Sequence, residues 1–299
     1  MPSTPGFVVS PWPHTQANPG GHRKQRKEIH KIWEPSGRAE RIENMNFAKY
    51  PSLEGKTVLI SGGAAGIGAS LVQHFCAQGA RVGYLDLCAN TAETTASTVE
   101  ADTGNRPLFQ VCDLRDIAAT RRAVDALEKE IGCIQVLINN AGHDEAHTFD
   151  EVTPEYWDDR VAVNLRHQYF LVQRVAGQMK AYTGGSIINM GSISWMIGAV
   201  GVSAYTTTKA AIMGMTKSLA RELGPHDIRV NSIAPGWVLT ERQQEKARKF
   251  PEKIDQYLEK QCLKTLLDPS DISRLALWLA ADDSRHVTGQ TMIVDGGAT

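Results

Sequence analysis

From Lys56 onward, short β-branched runs alternate with longer amphipathic ones, and this alternation restricts the fold more than any other feature of the chain. Lys56–Ser61, Arg81–Asp86, Leu108–Asp113, Val136–Asn139, Ser186–Met190, Arg229–Ile233 and Thr291–Val294 read as strands. Val58-Leu59-Ile60 and Val136-Leu137-Ile138 are unbroken apolar triplets, as expected of strands covered on both faces. Helical periods lie between them. Ile67, Leu71 and Phe75 recur every four residues, with Val72 and Cys76 on the same side. In a later helix Ala118, Arg122, Ala126 and Glu130 mark the polar side, and Val124, Leu127 and Ile131 the apolar one. Strands separated by helices pair in parallel through right-handed crossovers. The pattern predicts one α/β domain, a doubly wound sheet of about seven parallel strands with helices on both faces.

The first strand runs into Ser61-Gly62-Gly63-Ala64-Ala65-Gly66-Ile67-Gly68, and a helix opens at once. Glycines there let the backbone pass close to a pyrophosphate, which any Cβ would strike. The helix start adds unpaired N–H groups and a partial positive charge. Glycines also serve ordinary turns; the position between strand and helix is what points to a Rossmann-like dinucleotide cradle, with Gly62, Gly66, Ile67 and Gly68 as contacts. Asp86 ends the second strand, where a carboxylate accepts hydrogen bonds from the adenosine ribose and repels a 2′-phosphate. Its neighbours Leu87, Cys88 and Ala89 carry no positive charge, so the expected cofactor is NAD. A bland alternative is an aspartate that merely caps the turn.

Tyr205 and Lys209 are four apart in Ser203–Leu223, a stretch of helical composition, and so share one face. A free phenol titrates near 10; bringing it to about 7 takes roughly 4 kcal/mol. A cation about 4 Å away, at an effective dielectric near 20, supplies about that much. Lys209 and the oxidised nicotinamide are the two cations expected. Tyr205 would then exchange a proton with a substrate oxygen as hydride moves. Ser192 would hydrogen-bond the same oxygen, and Asn164 would hold a water that carries protons past Lys209.

These residues resemble the short-chain dehydrogenase/reductase family over about residues 51 to 298. Ser61 through Gly68 is similar to the family's glycine motif, with Ser in place of Thr. Asn139-Asn140-Ala141-Gly142 matches another motif, and Ser192, Tyr205 and Lys209 have the family spacing. The resemblance implies that Asp113 and Leu114 contact adenine and that Asn140, Ala141, Val238 and Thr240 also contact the cofactor. Pro235-Gly236 and Asp295-Gly296-Gly297 match the ends of the last two strands. It also implies homotetramers; the scattered cysteines, read as reduced small apolar residues, point to a cytoplasmic location. Within the family the chain is similar to sugar 1-dehydrogenases in Tyr50-Pro51-Ser52-Leu53-Glu54-Gly55-Lys56, Val163-Asn164-Leu165-Arg166-His167, Gly191-Ser192-Ile193-Ser194-Trp195 and Gln261-Cys262-Leu263. Those enzymes follow Asn-Asn-Ala-Gly with Asn-Asp-Asp-Arg-His, where this chain has His143-Asp144-Glu145-Ala146-His147. Trp195-Met196-Ile197-Gly198 departs as well. A polyol pocket needs several hydrogen-bonding groups and an aromatic platform. Asp144, His147, Ser192, Trp195 and Trp237 are the candidates, on loops after strand ends. The expected reaction is oxidation of an aldose at C1 to an aldonolactone. A dehydrogenase of another secondary alcohol (3-oxoacyl, diol or steroid) is the alternative, and a non-catalytic nucleotide-binding protein a minor one.

Net charge is −1 over 299 residues, which supports neither nucleic acid nor an anionic membrane as partner. The apolar runs are too short to span a bilayer. The five cysteines are scattered, without a C-x-x-C pair, so neither a disulfide framework nor a metal site is expected. Residues 1–50 are proline-rich and aperiodic, with a basic run His22-Arg23-Lys24-Gln25-Arg26-Lys27, and are expected to be a disordered extension. Met45 is a candidate start of the domain proper at 51–299. Residues 239–268 are expected to form a helical flap over the substrate, with Gln243, Gln244, Lys246 and Arg248 as a polar lid or simply a solvated face.

Overall fold

Seven strands form one parallel sheet: β1 (Thr57–Ser61), β2 (Arg81–Asp86), β3 (Leu108–Val111), β4 (Val136–Asn139), β5 (Gly185–Met190), β6 (Ile228–Pro235) and β7 (Thr291–Val294). The computed structural model describes residues 47–182, 184–249 and 251–299. The proposed extension up to residue 46, with Met45, lies outside them. Sheet order is β3-β2-β1-β4-β5-β6-β7, all neighbours parallel. The chain leaves β3 at one edge and re-enters beside β1 as β4. Connections from β1 and β4 therefore depart to opposite faces, and a crevice opens beyond their carboxyl ends. Ser61 stands level with both Leu85 and Asn139, so three strand ends converge there.

Helices α1 (Gly66–Ala77), α2 (Ala89–Thr103), α3 (Ile117–Ile131), α4 (Pro154–Val161), α5 (His167–Tyr182), α6 (Ser203–Leu223) and α9 (Pro269–Ala280) flank the sheet. The period of two in β1 splits the core. Val58 and Ile60 enter one cluster with Leu71, Phe75 and Leu277, whereas Leu59 enters another with Val124, Leu127 and Val175. Full burial of each such side chain stabilises by about 1.5–3 kcal/mol. Cys76 and Cys112 are buried small residues, but Cys88 and Cys262 are exposed.

Two boundaries differ from expectation. β3 stops at Val111, because the Asp113 side chain turns back to accept from Arg115 N at 2.9 Å and ends the extended run. Residues 47–50, expected outside the fold, are part of it. Phe47 and Tyr50 pack on the first cluster, Tyr50 N donates to Gln78 Oε1 at 2.9 Å, and Lys49 Nζ donates to Ala77 O at 2.8 Å. After β6 come α7 (Glu241–Lys249) and α8 (Pro251–Lys260), the helical flap anticipated over 239–268. Its base is closed by a parallel bridge between Val238 and Leu267.

Candidate active site

A cleft of about 1050 Å³ lies beyond the carboxyl ends of the strands. The glycine turn forms one end. Gly62 and Gly66 hold positive φ (+67° and +56°), a region that disfavours side chains. A Cβ on Gly68 would stand 1.8 Å from Gly62 O, so the turn closes only around glycine. Ala65 precedes α1 without a side-chain cap, leaving first-turn N–H groups for a ligand. Ser61 Oγ accepts from Asn140 N and Ala141 N at 3.0 and 3.1 Å, and Asn140 Nδ2 donates to Gly62 O at 2.9 Å. Asn140 and Ala141 thus brace the turn as well as line the cleft. Ile67, Leu114, Val238 and Thr240 line it too. This glycine-rich, uncapped turn fits a dinucleotide phosphate.

Asp86 lines the same end, and it also caps the turn: Oδ2 accepts from Ala64 N at 2.9 Å and Oδ1 from Leu87 N at 2.8 Å. The turn-capping and ribose-binding readings are compatible, since a carboxylate has about four acceptor sites. Asp113 is bound to Arg115 at 2.7 Å, and the hydrogen bonds from that guanidinium hold its carboxyl below the usual range. Arg115 is a cleft-lining cation that sequence reasoning near Asp86 overlooked. Its charge is already met by Asp113 and by Asp159 at 2.9 Å.

Tyr205, Ser192 and Lys209 line the other end. Lys209 is 2% exposed, lies 5.5 Å from the Tyr205 ring centroid, and donates to Met190 O at 2.8 Å. Asn164 sits on a single π turn, Ala162–Arg166, the kind of distortion that marks functional positions. Its Oδ1 accepts from His143 N at 2.7 Å and its Nδ2 donates to Arg160 O at 3.1 Å. A Cβ on Gly142 would lie 3.1 Å from Asn164 Oδ1 and 3.2 Å from Lys209 Nζ, so the missing side chain lets amide and ammonium share one corner.

The electrostatics correct one expectation. Burial pushes the Tyr205 hydroxyl up to about 12, a hydrogen bond with Ser192 opposes this, and the Asp144 charge adds to it. Burial draws Lys209 down to about 8. Burial outweighs the Ser192 hydrogen bond, so the phenol is raised despite that bond.

Of the five substrate candidates, Asp144, Ser192 and Trp237 line the cleft; His147 and Trp195 do not. His147 Nε2 accepts from Ala204 N at 3.4 Å at the start of α6, and its ring meets Tyr156 edge-on at 5.3 Å. It caps a helix instead. Trp195 lies on a 3₁₀ turn, Ile193–Trp195, with three residues per revolution. Ile193 and Ser194 take the directions that face the cleft. Among the described residues no group of His, Cys, Asp or Glu could hold a metal ion, and no helix is long and apolar enough to cross a membrane.

A family model described as Enoyl-(Acyl carrier protein) reductase matches residues 62–299. A "Probable galactose dehydrogenase" of Rhizobium meliloti is 44% identical over 84% of this chain and 97% of its own length. A D-xylose 1-dehydrogenase of Caulobacter vibrioides is 44% identical over 85% of this chain and 99% of its own. The chain belongs to the short-chain dehydrogenase/reductase family. It is an oxidoreductase acting on CH–OH donors. Among solved structures of this family, a 3-oxoacyl-[acyl-carrier protein] reductase with bound NAD from Brucella melitensis is similar, with TM-score 0.76, 33% identity, and 83% of this chain and 92% of that one covered. An L-sorbose reductase of Gluconobacter frateurii complexed with NADPH and L-sorbose gives TM-score 0.79 at 25% identity, covering 83% and 98%.

Sequence reading within this short-chain dehydrogenase/reductase missed several cleft residues. Arg242 pairs with Asp144 Oδ1 at 3.0 Å, and Tyr257 Oη accepts from Trp237 N at 2.8 Å. Arg160 donates to His143 Nδ1 at 2.9 Å and to Glu145 at 2.7 Å. Of the four lid residues, Gln243 enters the cleft, Gln244 is half-buried outside it and Arg248 is exposed, while nothing is described of the Lys246 side chain. No local signal separated Gln243 from a solvated helix face.

Proposed function

We propose that this chain oxidises an aldose at C1 to the aldonolactone with NAD. The observation that carries the reading is that Tyr205, Ser192 and Lys209 line the same cleft as the glycine turn, with Asn164 buried beside Gly142 at the Lys209 corner. The similarity to proteins named for galactose and D-xylose supports the sugar class. Tyr205 Oη takes the C1 hydroxyl proton while Ser192 Oγ hydrogen-bonds the same oxygen. A nicotinamide dinucleotide held along Gly62, Gly66, Gly68, Asp86 and Asn140 would supply the hydride acceptor and, in its oxidised form, a positive charge. Lys209 keeps an ammonium at the corner, and Asn164 beside it sets the position at which a proton leaves toward solvent.

Asp86 carries the choice of NAD over NADP. Its carboxylate faces the adenosine end, and the nearby Arg115 guanidinium is engaged by two carboxylates rather than presented to a 2′-phosphate. A second reading, another secondary alcohol, draws on the apolar wall of Ile193, Ile197 and Val202.

The test mixes purified protein with NAD or NADP and D-xylose, D-galactose, a 3-oxoacyl thioester (with reduced cofactor) or a steroid alcohol, and follows reduced-cofactor absorbance. Turnover of an aldose with NAD is expected, and Tyr205→Phe should lower kcat by about 10²–10⁴-fold. Undiminished turnover in Tyr205→Phe would overturn the proton step; turnover confined to the acyl or steroid compounds would move the chain to the second reading.

A further inference from the structure

Gln243 makes or breaks no bond in the reaction above, yet its amide joins two walls of the cleft. Nε2 donates to Asp144 Oδ2 at 2.9 Å, on the loop after β4. Oε1 accepts from Trp237 Nε1 at 3.1 Å, on the loop after β6. Each partner is held from a second side: Arg242 grips the other Asp144 oxygen at 3.0 Å, and Trp237 packs edge-on against Tyr257 at 5.5 Å. An amide has two N–H groups and two lone pairs. The two contacts described use one of each.

The bridge also lies close to the chemistry. The charge of Asp144 acts on both the Tyr205 hydroxyl and the Lys209 ammonium. Asp144 is two residues beyond Gly142, where a Cβ would lie 3.2 Å from Lys209 Nζ, and Asp144, Trp237 and Gln243 line the same cleft as Tyr205 and Ser192, so a group that binds at the bridge shares the cleft with the reacting oxygen. The bridge offers an anionic acceptor beside an amide that both donates and accepts. A hydroxyl suits that set, because it donates to the carboxylate or amide oxygen and accepts from the amide N–H. A bare methylene would leave the second amide N–H and lone pair of Gln243 desolvated without a partner.

Building on the aldose reading, we infer that Gln243 is a specificity-determining residue that, together with Asp144, reads the hydroxyl on the carbon next to the one oxidised. The lid thereby takes part in recognition rather than only excluding water.

The experiment compares kcat/KM with NAD for D-galactose and 2-deoxy-D-galactose in the wild type and in Gln243→Leu. The intrinsic effect of removing the hydroxyl cancels in the ratio of ratios. The wild type should prefer D-galactose by at least about tenfold, as sites that bond a substrate hydroxyl do. Gln243→Leu should bring the two sugars to within about twofold of each other, most of the change falling on KM for D-galactose. NADH affinity, read by fluorescence titration, reports that the variant is folded. Gln243→Asn, which keeps the amide on a shorter stem, should retain part of the preference and carries the test should Gln243→Leu not bind NADH. Oxidation of both sugars with the wild-type ratio intact in Gln243→Leu, or no preference in the wild type, overturns the inference and leaves the aldose reading standing. Should the wild type oxidise D-xylose but not D-galactose, the pair compared is D-xylose and 2-deoxy-D-xylose; oxidation of no aldose by the wild type overturns the aldose reading and the inference with it.

Discussion

Replacing His167 by Gln should flatten the acid side of this protein's stability profile. His167 opens α5 directly after the π turn and is fully buried. Burial pulls its imidazole down to about 3, and the Lys209 charge pulls the same way. In the unfolded chain the ring takes up a proton near 6.5. The folded chain refuses that proton until about pH 3, so below 6.5 the unfolded state binds more protons and stability falls as pH falls. Going from about pH 7 to about 4.5 removes roughly 2.5 kcal/mol from this group alone. For a domain of this size that is about 5–10 °C in Tm. Glutamine fills much of the same space and does not titrate, so whatever it costs is independent of pH. Burial also lowers His74 and His143, but both remain in the variant and cancel in the comparison. The assay is thermal melting by circular dichroism across this window. Wild-type and His167→Gln profiles with the same slope would refute the reasoning, since they would show that the folded chain accommodates the imidazolium.

Two further outcomes follow from the nucleotide end. Gly68→Ala puts a Cβ against the Gly62 carbonyl, a backbone atom that cannot swing aside, so NADH binding should weaken at least tenfold and stability fall by about 1–3 kcal/mol; unchanged titration and melting curves would contradict the cradle geometry. Asp86→Ser should lower the ratio of kcat/KM with NAD to that with NADP by about tenfold or more, and should also lower Tm slightly because Ala64 N loses its carboxylate partner; a ratio that does not move would detach Asp86 from cofactor choice.

Much of the frame was legible because its signals are local. A strand buried on both faces must be apolar without interruption, so Val58-Leu59-Ile60 and Val136-Leu137-Ile138 read as strands and occupy neighbouring positions in the sheet. The i, i+4 spacing of Tyr205 and Lys209 put them on one face of α6, and both line the cleft. Gly62 and Gly68, where a Cβ would collide, were legible because their run stands between a strand and a helix. His147 and Trp195 were misplaced for the converse reason. Their loops fold by contacts with residues remote in sequence, and no period of two or 3.6 reports which way a side chain leaves such a loop.

The chain's own order of residues thus determined the elements, their parallel pairing and the identity of the glycine turn and the Tyr–Lys pair, because each follows from periodicity or sterics over a few neighbours. Only the tertiary structure decided that Asp144 and Gln243, 99 residues apart, meet across the cleft, and that Arg115 is claimed by Asp113 and Asp159. It likewise decided that Tyr205 is raised rather than lowered, because burial is a property of everything packed around a group and cannot be read from the residues beside it.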